Sequence, residues 1–408
     1  MTEAPSAGSG RTLLGVLVYG GEEFVPACLE SAARLTEAGD VDVVVFDDHT
    51  PDEEWSASVA AQCASLGLGY YRSPRNLGIP RNMNLTLLRA LDGGYEHVII
   101  ANSDVVFPTN LVPALVAVAR TDPAIASVTA WSNHVSAFSL ENLNAPENIG
   151  TQDAINHISN LLAAHFGERS VPVPVGVGFC MLMSTAMVRE VGLLDPIFGR
   201  GYCEEVDWCR RAAALGYRNV LAPSAYVFHI GNATSKAFGV LEHWESSDPA
   251  NEAIIDLRYP DYREALEAHD RSRVIHDLRA EGERVLLIAA AADHGYVLEV
   301  SGLGREFDYG PEARFVVDPA GSGRTVRAFH GGYEAEVRLA GSSVPAQLTE
   351  LVGRAPRALV VRERGVVADR LVAECAALGV PVVDEYRYPQ AVTAAVGGHG
   401  APGCDTPR

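Results

Sequence analysis

Four groups of residues in this sequence carry side chains whose types and spacing could do chemistry. The run His97-Val-Ile-Ile-Ala-Asn-Ser-Asp104 ends an apolar stretch in three polar groups. A carboxylate there can hold a hard divalent cation, and the cation can hold a diphosphate. An ordinary strand-to-loop turn uses the same residue types. Next, Arg72-Ser-Pro-Arg-Asn-Leu-Gly-Ile-Pro-Arg81-Asn82 sets three arginines ahead of a helical pattern over Met83 to Ala90. Arginines near a helix N-terminus make an anion site, and a solvated loop reads the same way. Further on, Glu204, Glu205 and Asp207 crowd the first turn of a helix predicted over Glu204 to Leu215 and ended by Gly216. The helix dipole favours acids there. Three carboxylates in four residues, entered through a glycine-rich loop, exceed what a cap needs. Last, His229 lies between apolar neighbours in Tyr226-Val-Phe-His-Ile-Gly231. That is the setting of a core histidine as well as of a ligand.

These residues need elements to hold them. Thr12 to Tyr19, Val41 to Phe46, Gly69 to Arg72 and Val98 to Ala101 read as strands, with helices predicted between them. One helix is expected over Glu22 to Leu35, its acidic Glu22 and Glu23 at the N-terminus. Wholly apolar strands alternating with helices imply a parallel sheet buried on both faces, with right-handed crossovers. Ligands of such sheets bind at the carboxyl ends of the strands, where Asn102, Ser103 and Asp104 stand. Pro108 to Arg120 is expected as a helix and Ile125 to Thr129 as a strand. The polar stretch 131–172, with a helix near Ala154 to His165, is placed to recognise an acceptor. Gly176 to Met183 and Asn219 to Ala222 read as strands.

Composition narrows the class. A formal charge of −20 over 408 residues argues against broad electrostatic binding to nucleic acid or anionic membrane. Lys236 is the only lysine, so the positive charge is almost all arginine, the side chain suited to bidentate phosphate contacts. The seven cysteines are scattered without a CxxC pair, which suits free thiols in a reducing cytoplasm. The N-terminal segment lacks the apolar core of a signal peptide, and no run approaches the roughly 20 apolar residues of a membrane span.

Taken in order, these segments resemble the family 2 glycosyltransferases, inverting enzymes of the GT-A fold. The matching pieces are Val18-Tyr19, Asp47-Asp48, Arg75-Asn76-Leu-Gly78 with Arg81-Asn82, and Asn102-Ser103-Asp104. Gly192-Leu-Leu-Asp195, Glu204-Glu205-Val-Asp207 with Arg211, and His229-Ile-Gly231 complete the set. The resemblance covers roughly residues 11 to 260. It implies a mostly parallel sheet flanked by helices and a donor that is a nucleoside-diphosphate sugar, UDP- or dTDP-linked. The acceptor would be a small-molecule, glycan or lipid-linked hydroxyl. Tyr19, Asp47 and Asp48 would frame the nucleotide. Arg75, Arg81 and Ser103 would lie near it or its diphosphate. Asp104 would ligate Mg²⁺ or Mn²⁺, with His229 completing the site. Glu205 stands at the position of the catalytic base, with Glu204 as its rival, and Asp207 and Trp131 would face the acceptor. Two positions depart from the family pattern: Asn102 replaces the first metal carboxylate, and Glu205 is one methylene longer than the usual aspartate.

The expected organisation is a tail over 1–10, a transferase domain over 11–235 and a helical extension over 236–282. A small α/β or α+β module over 283–392 and a tail over 393–408 follow. Arg284 to Ala291 is expected as the module's first strand. Arg357 to Val361, Ala368 to Leu378 and Val380 to Val383 form a βαβ unit there. The sequence leaves open a homo-oligomer, a sugar nucleotidyltransferase and a degenerate transferase domain that binds sugar or scaffolds. Gly20-Gly21-Glu22-Glu23 lacks the early basic residue that a nucleotidyltransferase would show.

Overall fold

The structure is a computed structural model describing residues 10–135, 138–140, 151–229, 248–301, 313–318, 325–330, 333–341, 343–363 and 365–384. The expected tails (apart from Gly10), Ile230-Gly231, 236–247 of the helical extension and 385–392 of the module lie outside the described residues. The chain divides into two compact units, residues 1–278 and 279–408.

The first unit is built on a nine-stranded sheet among the described residues. Its strands are β1 (Thr12–Val18), β2 (Val41–Asp47), β3 (Gly69–Arg72), β4 (His97–Asn102), β5 (Val105–Val106), β6 (Ile125–Ser132), β7 (Val171–Val173), β8 (Cys180–Ser184) and β9 (Arg218–His229). The order is β3-β2-β1-β4-β8-β6-β9-β5, with β7 also paired to β9. The first four neighbours are parallel, β8 runs antiparallel to both β4 and β6, and β6 and β9 are parallel. The sheet is mixed, and the parallel half holds the strand ends that matter for the site.

Apolar residues face both ways along these strands, and two helical layers cover them. Leu14, Val16 and Val18 of β1 pack with α1 (Val25–Leu35), α2 (Glu53–Ser65) and α4 (Leu111–Arg120). Leu13 of β1 and Val98 and Ile100 of β4 pack on the other face. There they meet α3 (Ile79–Asp92), α6 (Thr185–Val191) and α7 (Glu204–Ala214). A Cβ on Gly15 would sit 2.2 Å from Thr86 Cγ2, so β1 carries glycine where α3 comes closest. α5 (Gln152–Phe166) begins on Thr151, whose side chain accepts from the Ala154 N–H.

Two local expectations change here. α1 starts at Val25, with Phe24 as its N-cap, and leaves Glu22 and Glu23 exposed in the preceding turn. Pro26 in its first turn supplies the start signal instead. The strand expected to stop at Ala222 continues to His229. Its pairing with β6 jumps from Ala130↔Ala222 to Trp131↔Tyr226, so Pro223, Ser224 and Ala225 are absorbed in an irregularity that a proline requires.

Helices α8 (Pro249–Arg258) and α9 (Tyr262–Arg271) follow, and Ile255 and Tyr262 pack on Phe198 ahead of α7. α10 (Val274–His294) carries the division between the units. Arg284 to Ala291 belongs to this helix and is not a strand. Leu287 and Ala291, one turn apart, are its buried contacts with the second core. An apolar run alone does not separate helix from strand, and the alanines at 289–292 favour helix.

The second unit has a six-stranded sheet among the described residues, in the order β13-β12-β11-β10-β14-β15. Its strands are β10 (Tyr296–Val300), β11 (Ala313–Val317), β12 (Thr325–His330), β13 (Tyr333–Arg338), β14 (Leu359–Val361) and β15 (Val382–Asp384). With α11 (Val344–Val352) and α12 (Val366–Ala377) it makes a mixed α/β unit. β14, α12 and β15 form the expected βαβ unit, its strands parallel. Among the described residues no helix is long and apolar enough to cross a membrane.

Candidate active site

The carboxyl end of β4 lies beside the end of β9. Val105 pairs with His229 in the short antiparallel ladder, which brings Asp104 Oδ1 to 3.2 Å from His229 Nε2. Every other handle on His229 is fixed. Its Nδ1 stands 2.8 Å from the carbonyl of His134, its backbone N–H donates to Asn133 Oδ1 and its carbonyl accepts from Asn133 Nδ2. The Phe179 ring stacks on the imidazole at 5.3 Å. A backbone carbonyl only accepts, so Nδ1 donates to it and Nε2 is turned to the carboxylate. An imidazole oriented by a carbonyl, next to a carboxylate, is a donor set that fits a divalent ion. Among the described residues no third His, Cys, Asp or Glu joins them, so substrate oxygens and water would supply the remaining ligands.

Asp47, the last residue of β2, and Asp48 after it are both bonded into the scaffold. Asp47 is fully buried. Its Oδ1 accepts from the Thr50 N–H, and its Oδ2 accepts from Ser56 Oγ at 2.6 Å and Tyr70 Oη at 2.7 Å. Burial pushes this carboxyl up, but the hydrogen bonds from Ser56, Thr50 and Tyr70 together outweigh it and hold it below the ordinary range. Asp48 accepts from the backbone N–H groups of Leu77 and Gly78, at 2.7 and 2.9 Å. It therefore shapes the loop that carries Arg75 and Arg81, and burial raises its own carboxyl. Gly78 is needed here, with φ +80° and a built Cβ only 2.2 Å from the carbonyl of Gly199. The 75–81 loop thus lies directly against the loop entering α7. Both Arg75 and Arg81 are exposed, and Tyr19 is half-buried at the end of β1.

Glu204 and Glu205 open α7. Glu204 is 3% exposed and Glu205 is partly covered, and the Oε2 of each is buried without a hydrogen-bond partner. Burial and then the charge of Glu205 raise the Glu204 carboxyl well above the ordinary value. Burial also raises Glu205, against opposing hydrogen bonds that include the Gly178 N–H and the Glu204 side chain. Gly178 and Phe179 connect the two halves of the site. Gly178 contacts Glu205, while the next residue accepts from the Asn102 N–H at 2.9 Å and stacks on His229. Glu205 and the Asp104–His229 pair are thus linked through two successive residues, Gly178 and Phe179. Ser103, as buried as Asp104, lies in the same turn.

Asp207 and Trp131, the residues expected towards an acceptor, are both fully buried. Asp207 borders an open cleft of about 650 Å³ with Asp195, Arg211 and Arg258, but both its oxygens are taken. Oδ1 accepts from Arg258 at 2.7 Å and Tyr259 at 2.9 Å, and Oδ2 accepts from Arg211 at 2.9 Å. Arg258 also bonds Asp195 at 2.8 Å, so this network fastens α8 to α7. Trp131 is fully buried in β6, its Nε1 without a hydrogen-bond partner. Asn133, Gly178, Phe179 and Arg258 were not singled out from sequence. Only the glycines of Gly176-Val-Gly178 signalled a close approach.

Residues 14–192 match the family described as glycosyl transferase family 2. The match spans less than half of the chain and makes that part similar to the transferase domains of the family. Glu204, Glu205 and His229 lie beyond the matched residues. Three solved structures illustrate the similarity. GalNAc-T7 with UDP, GalNAc and Mn²⁺ is 14% identical, with a TM-score of 0.41 over 54% of this chain and 43% of that one. The mannosyltransferase PcManGT from Pyrobaculum calidifontis, in complex with GDP-Man and Mn²⁺, is 16% identical, with a TM-score of 0.41 over 70% and 76%. S. aureus TarS 1–349 in complex with UDP-GlcNAc is 16% identical, with a TM-score of 0.37 over 53% and 58%. The chain thus spans less than half the length of the first of these. No curated protein sequence matches it.

Proposed function

We propose that this chain is an inverting glycosyltransferase. It moves a sugar from a UDP- or dTDP-linked donor to the hydroxyl of a small-molecule, glycan or lipid-linked acceptor, in the cytoplasm. The observation that supports the reading is that two successive residues, Gly178 and Phe179, hold Glu205 on one side and the Asp104–His229 pair on the other. The six described cysteines are all unpaired, which suits a reducing compartment.

Breaking the bond from the anomeric carbon to the diphosphate leaves negative charge on the departing group. Asp104 and His229 would hold a Mg²⁺ or Mn²⁺ ion, which supplies charge stabilisation at that diphosphate. Arg75, on the loop held by Asp48, and Arg81, in the first turn of α3, add positive charge from the side. Glu205 takes the proton of the acceptor hydroxyl as it attacks the opposite face, a step worth about 10²–10⁴-fold. Glu204 keeps its own proton and donates to Glu205, which leaves Glu205 the ionised partner of the two.

Asn102 favours a second reading, because an amide gives a cation one anionic oxygen fewer than aspartate would. A domain that binds donor sugar without transferring it would follow. A panel of nucleotide sugars with Mn²⁺ separates the two: the first reading predicts transfer or slow donor hydrolysis abolished by Glu205→Gln. Binding without any turnover supports the second.

A further inference from the structure

Two successive residues just before Glu204 have left-handed backbones, Tyr202 at φ 71° and Cys203 at φ 75°. Neither is glycine, and each such residue costs roughly 1–2 kcal/mol. Cys203 is the N-cap of α7 but makes no side-chain cap bond. The local chain contributes the Gly201 N–H to the Phe198 carbonyl and the Tyr202 N–H to the Glu204 carboxyl. Further support comes from α8, which lies outside the family-matched residues. Asn251 is 7% exposed in its first turn. Its Nδ2 reaches the carbonyls of Phe198 at 3.1 Å, Gly201 at 2.8 Å and Tyr202 at 3.0 Å. One amide nitrogen, with two protons, is shared among three carbonyls of the turn that leads into the carboxylate pair. The helix is itself anchored on both sides. Asp248 caps it through the Ala250 N–H, and Ile255 packs on Phe198.

We propose that Asn251 is a positioning residue, which fixes the strained Tyr202–Cys203 turn and through it the direction in which Glu205 points at the acceptor. This rests on the reading of Glu205 as the base. The Asp104–His229 pair is carried by β4 and β9, which this amide does not touch, while the 75–81 segment meets the turn at Gly78 and Ile79.

Asn251→Asp is the direct test. It keeps the shape, removes both donor protons and sets a carboxylate against three carbonyl oxygens. Two readouts are taken on the full chain, confirmed folded by circular dichroism. In transfer assays, kcat should fall about tenfold or more, with the donor KM within about twofold of wild type. A role in stability alone would lower the melting temperature and leave kcat per folded molecule unchanged. The second readout needs no turnover. Alkylation of Cys203 by iodoacetamide, mapped by mass spectrometry, should quicken roughly fivefold as the turn loosens, with buried Cys209 unchanged. Unchanged Cys203 alkylation in folded Asn251→Asp overturns the proposal whether or not the protein transfers sugar. If wild type transfers nothing while alkylation quickens, the function assignment fails and the clamp stands. Asn251→Ser, which keeps one donor, should fall between the two in both readouts and serves if the aspartate variant does not fold.

Discussion

His229 Nε2 stands 3.2 Å from Asp104 Oδ1, although 125 residues separate them in the chain. The Nδ1 contact with the His134 carbonyl turns Nε2 to the carboxylate. If this pair is the cation site, His229→Ala should weaken Mn²⁺ binding about 10–100-fold in calorimetry. Excess chelator should suppress transfer, and Mn²⁺ should restore it. Full activity in chelator would remove the metal from the account.

The buried acid pair makes activity and stability depend on pH in opposite ways. Glu205 must be ionised to act, and its carboxyl is raised by burial, so the acid limb of kcat/KM should lie above the ordinary glutamate value of 4.5. Glu204→Ala, which removes a hydrogen bond to Glu205, should move that limb to still higher pH. For stability, the raised Glu204 favours the folded state fully below 4.5 and loses that contribution as pH rises through its folded value. Glu204→Gln should therefore melt about 2–4 °C higher than wild type at pH 8, a gain that shrinks towards pH 4. A pH-independent difference between the two proteins would count against a protonated Glu204.

Asp47 and Asp48 differ in what they hold. Asp47 ties β2, α2 and β3 together through Thr50, Ser56 and Tyr70. Asp47→Ala should cost about 2–4 kcal/mol in chemical denaturation. Asp48→Ala frees the backbone of Leu77 and Gly78, so its main effect should be on donor binding. Equal loss of stability in both variants would contradict this division.

Exposed Arg75 and Arg81 are expected on the diphosphate. Alanine at either should raise the Kd for a nucleoside diphosphate about tenfold, with a smaller effect on the free nucleoside. Equal effects on both ligands would place these arginines away from the phosphates.

The elements of the first unit were legible because apolar strands and amphipathic helices repeat with fixed periods. Asp104 and Glu205 could be picked out because each sits where such a period stops. What escaped depends on partners far apart in sequence. Nothing near Asp47 announces that Ser56 and Tyr70 will consume its oxygens, and nothing near Asp207 announces Arg258 and Tyr259. Trp131 opens a polar stretch yet is fully buried, because β6 continues through it as an inner strand of the sheet. The run at 284–291 was misread because uniform apolarity has no period, and its alanines carried the helix signal. Asn251, a single amide in a helix, leaves no pattern.

The most direct test of the central claim is Glu205→Gln, assayed for transfer and for donor binding on the same preparation. The amide keeps the size of the side chain but cannot take a proton. The account predicts kcat lower by about 10²–10⁴-fold, with the donor Kd within about twofold of wild type. Transfer at the wild-type rate by this variant would contradict it.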